Sequence, residues 1–418
     1  MKGDFSRLTG RRAKYNHYNG VLKQQGRVQL DWEWNELISI IGHQRKARTI
    51  DTIGQCGAPI HNSGFEILHP GNGFAGLLIA TGRFYAGGLL CESSPGHKLP
   101  ITGFSGNNDI LADDTQIDGV SLSNGQWVQI STKEDPDGVI AQITNVSTGQ
   151  ISVDQNLSGL HDGHGPTLRL LILFSEQPDL PNGPGYTPVA GQTDLLYLDV
   201  WERHISAIED PGIREVALGG PDTDTRSRII GQVKALTDVG NVSCEDDIDS
   251  WEALIKPPNG RLTTRLIEPD APDNPCELGE SGGYLGLENH LYRVEVHTVD
   301  AGGATFKWSR DNASTAYAIK EFFEEGTGEV FKISLQQNGK DDILKIKQQD
   351  WIEVSGEYTD LDTDNPGTLA RVLKVEGTVL TLDTDVAAHK NEPLPKIRRW
   401  DTNIQTPDDV VKTIVSGT

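Results

Sequence analysis

A chain of 418 residues with 46 glycines, 21 prolines and a single methionine has the length for several cores and the composition of short strands joined by tight turns. Its net charge of −23 opposes a phosphate backbone, so no nucleic acid is expected as a partner. The longest apolar run, residues 168–174, is broken by Arg169 and too short for a membrane span.

Residues 1–7 lack the apolar stretch of a signal peptide, and synthesis in the cytoplasm is the expectation. Cys56, Cys91, Cys244 and Cys276 stand more than thirty residues apart without a CxxC pair. No zinc site or disulfide framework is encoded locally, and buried or idle thiols are expected.

Residues 3–20 form a basic polar arm carrying Arg7, Arg11, Arg12 and Lys14. From Tyr18 the chain reads as an extended arm that turns at Gly26 and enters an amphipathic helix. Leu30, Trp34, Leu37, Ile38 and Ile41 recur at helical spacing, and Asp31 is placed to cap the first turn. Gln44, Arg45, Lys46 and Arg48 lie toward its carboxyl end, where the dipole favours cations. This is the one long helix expected in the chain. A lone helix beside β-structure either plugs a β-domain or docks onto a neighbour. In the docking reading its contact residues are Tyr18, Arg27, Gln29, Trp32, Trp34 and Ile38.

Residues 65–92 hold strand-sized runs separated by two-residue breaks: Leu77-Leu78-Ile79-Ala80, Thr81-Gly82, Arg83-Phe84-Tyr85-Ala86, Gly87-Gly88 and Leu89-Leu90-Cys91. Such breaks predict hairpins. Farther on, the chain repeats itself. Pro166, Leu168 and Arg169 match Pro395, Ile397 and Arg398 at a shift of 229, which also carries Gly138 onto Gly367, Val146 onto Val375, Ile151 onto Leu380, Val153 onto Leu382 and Asp154 onto Asp383. Trp127-Val128-Gln129-Ile130 matches Trp351-Ile352-Glu353-Val354 at a shift of 224, so one loop of the second copy is five residues longer. Each copy predicts four or five short strands closed into a small barrel, with the repeated tryptophan in the core.

Between the copies, Leu195-Leu196-Tyr197-Leu198-Asp199-Val200-Trp201 is apolar on both faces and predicts a central strand. Asp210-Pro211 predicts a short helix through Val216, ended by Gly219-Gly220. A strand follows over residues 226–236, then an acidic excursion over 238–283 with a short helix at 251–255. Strands at 291–297 and 305–310 are expected to complete the central sheet. The predicted class is mainly β: an N-terminal arm and amphipathic helix, a central β-sheet domain and two related small β-barrel-like modules. The divisions are 1–56, 57–115 with the central domain, 116–175 for the first module, 176–330 for the central domain, 331–401 for the second module, and a tail at 402–418.

Chemistry finds little support. His161-Asp162-Gly163-His164 holds two imidazoles and a carboxylate, but the second copy lacks them, so no metal is expected. Asp360, Asp362 and Asp364 have calcium-loop spacing, but Asn365 stands where such a loop needs Gly and Arg371 where it needs Glu. A solvated acidic turn is expected. Asp222-Thr223-Asp224-Thr225-Arg226 reads as a capped, charge-paired turn rather than a catalytic carboxylate pair. Trp201, Trp251, Trp308 and Trp351 offer the material for a sugar platform. No nucleophile elbow, phosphate loop or HExxH motif occurs, and no cofactor or catalytic residue is assigned.

On Lys2-Gly3-Asp4-Phe5-Ser6-Arg7, Gln24-Gln25-Gly26-Arg27-Val28-Gln29-Leu30-Asp31, Trp34-Asn35-Glu36, Tyr197-Leu198-Asp199-Val200-Trp201-Glu202-Arg203-His204, Ala217-Leu218-Gly219-Gly220-Pro221-Asp222-Thr223, Phe306-Lys307-Trp308-Ser309-Arg310-Asp311-Asn312 and Arg398-Arg399-Trp400-Asp401, the sequence resembles a bacterial family of unassigned function. Members of that family tend to be encoded with phage-tail-like contractile injection particles. The resemblance implies a non-enzymatic structural subunit at the baseplate periphery or tail-fibre root. Its partners would be other particle subunits in a many-copy or homo-oligomeric assembly. A receptor- or glycan-binding module of the same particle is the alternative, followed by a polysaccharide-acting enzyme.

Overall fold

The computed structural model describes residues 2–5, 16–60, 63–71, 74–180, 186–257, 290–300, 303–326, 328–362 and 366–401. The expected tail at 402–418, most of the excursion over 238–283 and Cys276 lie outside the described residues. The fold is mainly β, with several sheets, a closed six-stranded barrel and an N-terminal helix, α1, at Asp31–Ile53.

The closed barrel joins Ala316–Glu325, Glu329–Leu335, Val379–Leu382, Thr368–Glu376, Trp351–Ser355 and Lys396–Trp400 in a ring. Alternation along each strand sends Ile333, Ile352, Val354, Val372, Leu380 and Ile397 inward, where all six are fully buried. The first copy follows the same circuit through Thr167–Leu173, Trp127–Ser131, Val139–Ser147, Gln150–Val153, Asp109–Leu111 and Gly103–Ser105. Leu99–Pro100 pairs back onto Thr167 and Leu168, so this ring is interrupted only at residues 101–102.

The repeat reaches into backbone irregularities. A register shift between Ile143 and Asn145 recurs 229 residues later between Val372 and Lys374. The inserted five residues build α3, Glu357–Leu361. The repeat also begins earlier than the sequence suggested. Ile101 N–H donates to the Pro166 carbonyl at 2.9 Å and Ile319 N–H to the Pro395 carbonyl at 2.8 Å. Phe104 faces Ile110 as Phe322 faces Ile333. The expected starts at 116 and 331 therefore cut off strands that each barrel needs. Those upstream strands follow a different offset, 218 residues from Leu99 to Tyr317, which hides them from a search at one shift. Trp127 and Trp351 are half-buried outside the barrel interiors, whose matching core positions belong to Val128 and Ile130, and to Ile352 and Val354.

The hairpin Gly82–Ala86 with Leu89–Ser93 turns through Gly87-Gly88, whose φ values of 54° and 80° suit a two-residue turn of primed type. Leu78–Ala80 does not extend it. That strand pairs with Ile67–Leu68 and Thr167–Leu173, so Thr81-Gly82 is a change of sheet.

The expected central sheet is two separate ribbons among the described residues. Leu195–Ile205 pairs with Arg226–Leu236 along its whole length, and Arg293–Asp300 pairs with Gly303–Ser309. Leu196, Leu198, Val233 and Ala235 pack with Phe65, Ile67, Ile79 and Phe174, joining the long ribbon to the N-terminal sheets. Gly231 allows this approach: a Cβ there would lie 2.3 Å from Cys91 Sγ. The single helix expected after Asp210 is two one-turn 3-10 pieces, Pro211–Ile213 and Val216–Leu218. Asp210 caps the first through Gly212 N–H at 2.9 Å, and Gly219 ends the second at φ 88°. A short helix, α2, occupies Asp249–Ile255 as predicted.

Candidate docking surface

The arm turns at Gly26, φ 71°, where Arg27 N–H donates to the Gln24 carbonyl at 3.3 Å. The stretch before this turn lies antiparallel to α1. Gln44 donates to Asn19 Oδ1 at 2.6 Å, and Lys23 pairs with Glu33 at 2.8 Å. Glu33 also accepts the Leu30 N–H at 3.2 Å, taking the capping role expected of Asp31. The helix continues to Ile53 and ends at Gly54, φ 102°, so Arg45, Lys46 and Arg48 stand within the helix and its last turn holds no cation.

Its buried face also differs from the expected one. Only Glu36 and Ile40 are buried, while Leu37 and Ile41 are partly covered. Leu30, Trp34 and Ile38, at i, i+4 and i+8, form a stripe 43%, 55% and 52% exposed. The arm adds exposed Tyr18, Leu22 and Val28, with Arg27 and Gln29 also exposed. Trp32 is half-buried and leaves this surface.

Beside the stripe lies a cleft of ≈ 1250 Å³ whose walls include Phe5, Gln29, Trp34, Asp222, Asp224 and Lys340. Asp222 and Asp224 are exposed there, and the Arg226 guanidinium donates to the Thr225 carbonyl at 3.1 Å. The cleft thus collects two expected docking residues and the carboxylates set aside as a turn.

Residues 2–5 are fastened into the body at the edge of this cleft. Gly3 N–H donates to the Asn312 carbonyl at 3.2 Å, and Asn312 Nδ2 returns a bond to the Gly3 carbonyl at 2.8 Å. Lys2 pairs with Glu295 at 3.3 Å, and Phe5 packs on His204 at 5.2 Å. Only glycine fits at position 3, because its φ is 150° and a Cβ would lie 2.7 Å from the His204 ring.

Two ion networks, unforeseen in the sequence, hold the second barrel to its surroundings. In one, Lys307 pairs with Glu353, and Trp400 Nε1 donates to the same carboxylate at 2.9 Å. Burial pushes the Glu353 carboxyl up, but the charges of Lys2 and Lys307 and the bonds from Lys307 and Trp400 outweigh it and bring it to about 2. In the other, Arg203 grips Glu357 through two bonds of 2.7 Å and reaches Asp360 at 3.2 Å. Lys396 pairs with Asp360 and with Glu209 at 2.6 Å. Burial likewise raises Glu209, and Lys396 with the Ser206 bonds brings it down to about 2. Asp360 is therefore an anchor between a ribbon and the barrel, where a solvated acidic turn was expected. The available signal was the inserted loop itself, which places Glu357 and Asp360 three residues apart on α3.

The first barrel uses the matching outer position differently. Arg169 donates to Gln129 at 2.5 Å, the Ser63 carbonyl at 2.7 Å and Glu66 at 2.6 Å. In the remaining candidate positions, His164 pairs with Glu134 at 2.8 Å and His161 stacks on Phe104 at 5.0 Å. Among the described residues no three His, Cys, Asp or Glu side chains converge as metal ligands. Trp201, Trp251, Trp308 and Trp351 are all half-buried, with Trp251 edge-on to Tyr197 at 5.2 Å, so they form no open platform. Cys56 and Cys244 are exposed rather than buried. Cys91 is buried, and desolvation with the Asp179 and Glu92 charges pushes its thiol to about 12.

The profile of a family of unknown function, DUF6519, matches residues 1–109, 185–254 and 256–417. The chain belongs to that family. The DUF6519 match skips 110–184, the stretch that holds four strands of the first barrel. No curated protein matches the chain, and neither does any solved structure. No helix among the described residues is long and apolar enough to cross a membrane.

Proposed function

We propose that this DUF6519 protein is a structural subunit of a contractile, phage-tail-like particle, at the baseplate periphery or tail-fibre root, joined to a neighbour by its arm and α1. The exposed Leu30-Trp34-Ile38 stripe carries the reading. Apolar side chains at helical spacing on a weakly packed helix are what a helix-in-groove contact uses. The fastening of residues 2–5 supports it further, because the arm then departs from a fixed point on the body. Many identical copies make a modest contact sufficient.

Removing residues 1–45 would also remove the Lys2 and Gly3 contacts, so the decisive variant is L30S/W34S/I38S in the full chain. It is expected to fold with an unchanged circular dichroism spectrum and to be missing from purified particles. Normal incorporation of that variant overturns the reading.

A glycan-binding role on the same particle is the second reading, supported by the cleft whose walls include exposed Trp34 together with Asp222 and Asp224. Glycan-array binding lost in Trp34→Ala supports it, and an array with no bound glycan removes it.

A further inference from the structure

The ribbon of Arg293–Asp300 and Gly303–Ser309 is built inside out. Successive side chains on a strand point to opposite faces. Here the face toward the second barrel is polar: Glu295 pairs with Lys2, and Lys307, only 2% exposed, pairs with Glu353. The opposite face presents Tyr292, Val294 and Val296, exposed at 60%, 42% and 55%. Val294 stands across from Trp308 and Val296 across from Phe306, and Tyr292 stacks on Trp308 at 6.3 Å. Among the described residues no charged side chain interrupts this apolar face. A two-stranded ribbon is marginal by itself, and uncovered apolar surface on one marks a contact site.

Charge separation within the chain indicates the occupant. Residues 1–56 carry ten Lys and Arg against five Asp and Glu, a net +5, so the remaining 362 residues carry −28 of the total −23. The excess sits in the arm, at Arg7, Arg11, Arg12 and Lys14, which an acidic body attracts, while α1 adds the apolar ridge that an apolar strip can receive. We propose that the outer face of the 293–309 ribbon receives the arm and α1 of a second copy of this chain, so that copies join head to tail. Ridge and ribbon are different surfaces, which makes the contact heterologous and able to propagate as a ring or filament. The proposal rests on the docking reading of the arm and helix, and adds the partner.

Sedimentation velocity on the full chain tests it with two variants, W34E/I38E on the helix and V294E/V296E on the ribbon. The unaltered chain is expected to associate as its concentration rises, and each variant to be weakened by about tenfold or more. An equimolar mixture of the two variants is expected to give dimers and nothing larger, because one intact helix and one intact ribbon remain between them. V294T/V296T serves as the ribbon variant if the glutamates prevent folding, with the circular dichroism melt as control. A monomeric unaltered chain, a mixture that stays monomeric, or ribbon variants that associate normally would each overturn the proposal. Absence of W34E/I38E from particles together with a monomeric unaltered chain would overturn self-docking while leaving docking onto a different subunit in place. A ribbon variant that melts earlier with unchanged association shows the face covered by its own chain, and also overturns it.

Discussion

The two barrels share strand order, bulge position and the alternation of buried residues, yet they are tied to the rest of the molecule by different chemistry. Where the first has Gln129 and Thr167, the second has Glu353 and Lys396, both buried and both ion-paired. The inserted α3 supplies Glu357 and Asp360 to the same junction. A duplicated core can be kept while its outer positions are rewritten, because the interior constrains volume and the exterior answers only to whatever packs against it. The family match, which skips four strands of the first barrel and covers the whole second barrel, runs along the same division.

The sharpest way to break the comparison is Lys396→Met, which leaves the buried Glu209 carboxylate without its cation while Asp360 keeps only Arg203. It is expected to cost about 3–5 kcal/mol in denaturant unfolding. Thr167→Ala, at the matching position of the first barrel, removes only a 3.4 Å contact with Ser131 and is expected to cost under about 1 kcal/mol. Equal losses would show that the junction ions do not separate the two copies.

Core truncation should erase the difference. Ile151 and Leu380 are fully buried at equivalent points, and Ile151→Ala and Leu380→Ala are each expected to cost about 2–5 kcal/mol. A cost confined to one barrel would mean that the cores are not equivalent.

Acid supplies a third separation. Glu209 and Glu353 have carboxyls lowered to about 2 from an ordinary 4.5, so their stabilisation is fully present above about 4.5 and is lost as pH falls toward 2. Gln129 does not titrate. Hydrogen exchange across that window is expected to open residues 316–401 before residues 99–173, and simultaneous opening would count against the assignment.

The smallest effect concerns the thiols. Iodoacetamide near neutral pH is expected to label Cys56 and Cys244 and to spare Cys91 until the chain unfolds. Labelling of native Cys91 would mean that the long ribbon does not seal against the N-terminal hairpin.

Much of the fold was legible because it depends on local pattern. The Gly87-Gly88 hairpin, the turn at Gly26 and the start of α1 follow from turn and helix chemistry, and the barrels follow from repeated alternation. The first strands of each barrel were missed because their offset differs from that of the rest. The ribbon at 195–236 misled because an apolar strand reads the same whether sheets cover it or side chains from neighbouring elements do. At the docking surface, Trp34 and Ile38 were legible as a helical stripe. Burial of Ile40 and retreat of Trp32 depended on how α1 lies against the body.

By itself the sequence determined the mainly β class, the long N-terminal helix and the duplicated barrel core, because each is written in residue spacings a few positions long. Only the tertiary structure decided that Arg203 meets Glu357, that Lys307 meets Glu353, that Gly3 lies against His204, and that the 293–309 ribbon turns its polar side inward. Those contacts join residues far apart in the chain, and an ionic or apolar side chain does not carry the identity of its partner. The approach of the folded elements supplies that identity, by fixing which groups leave water together.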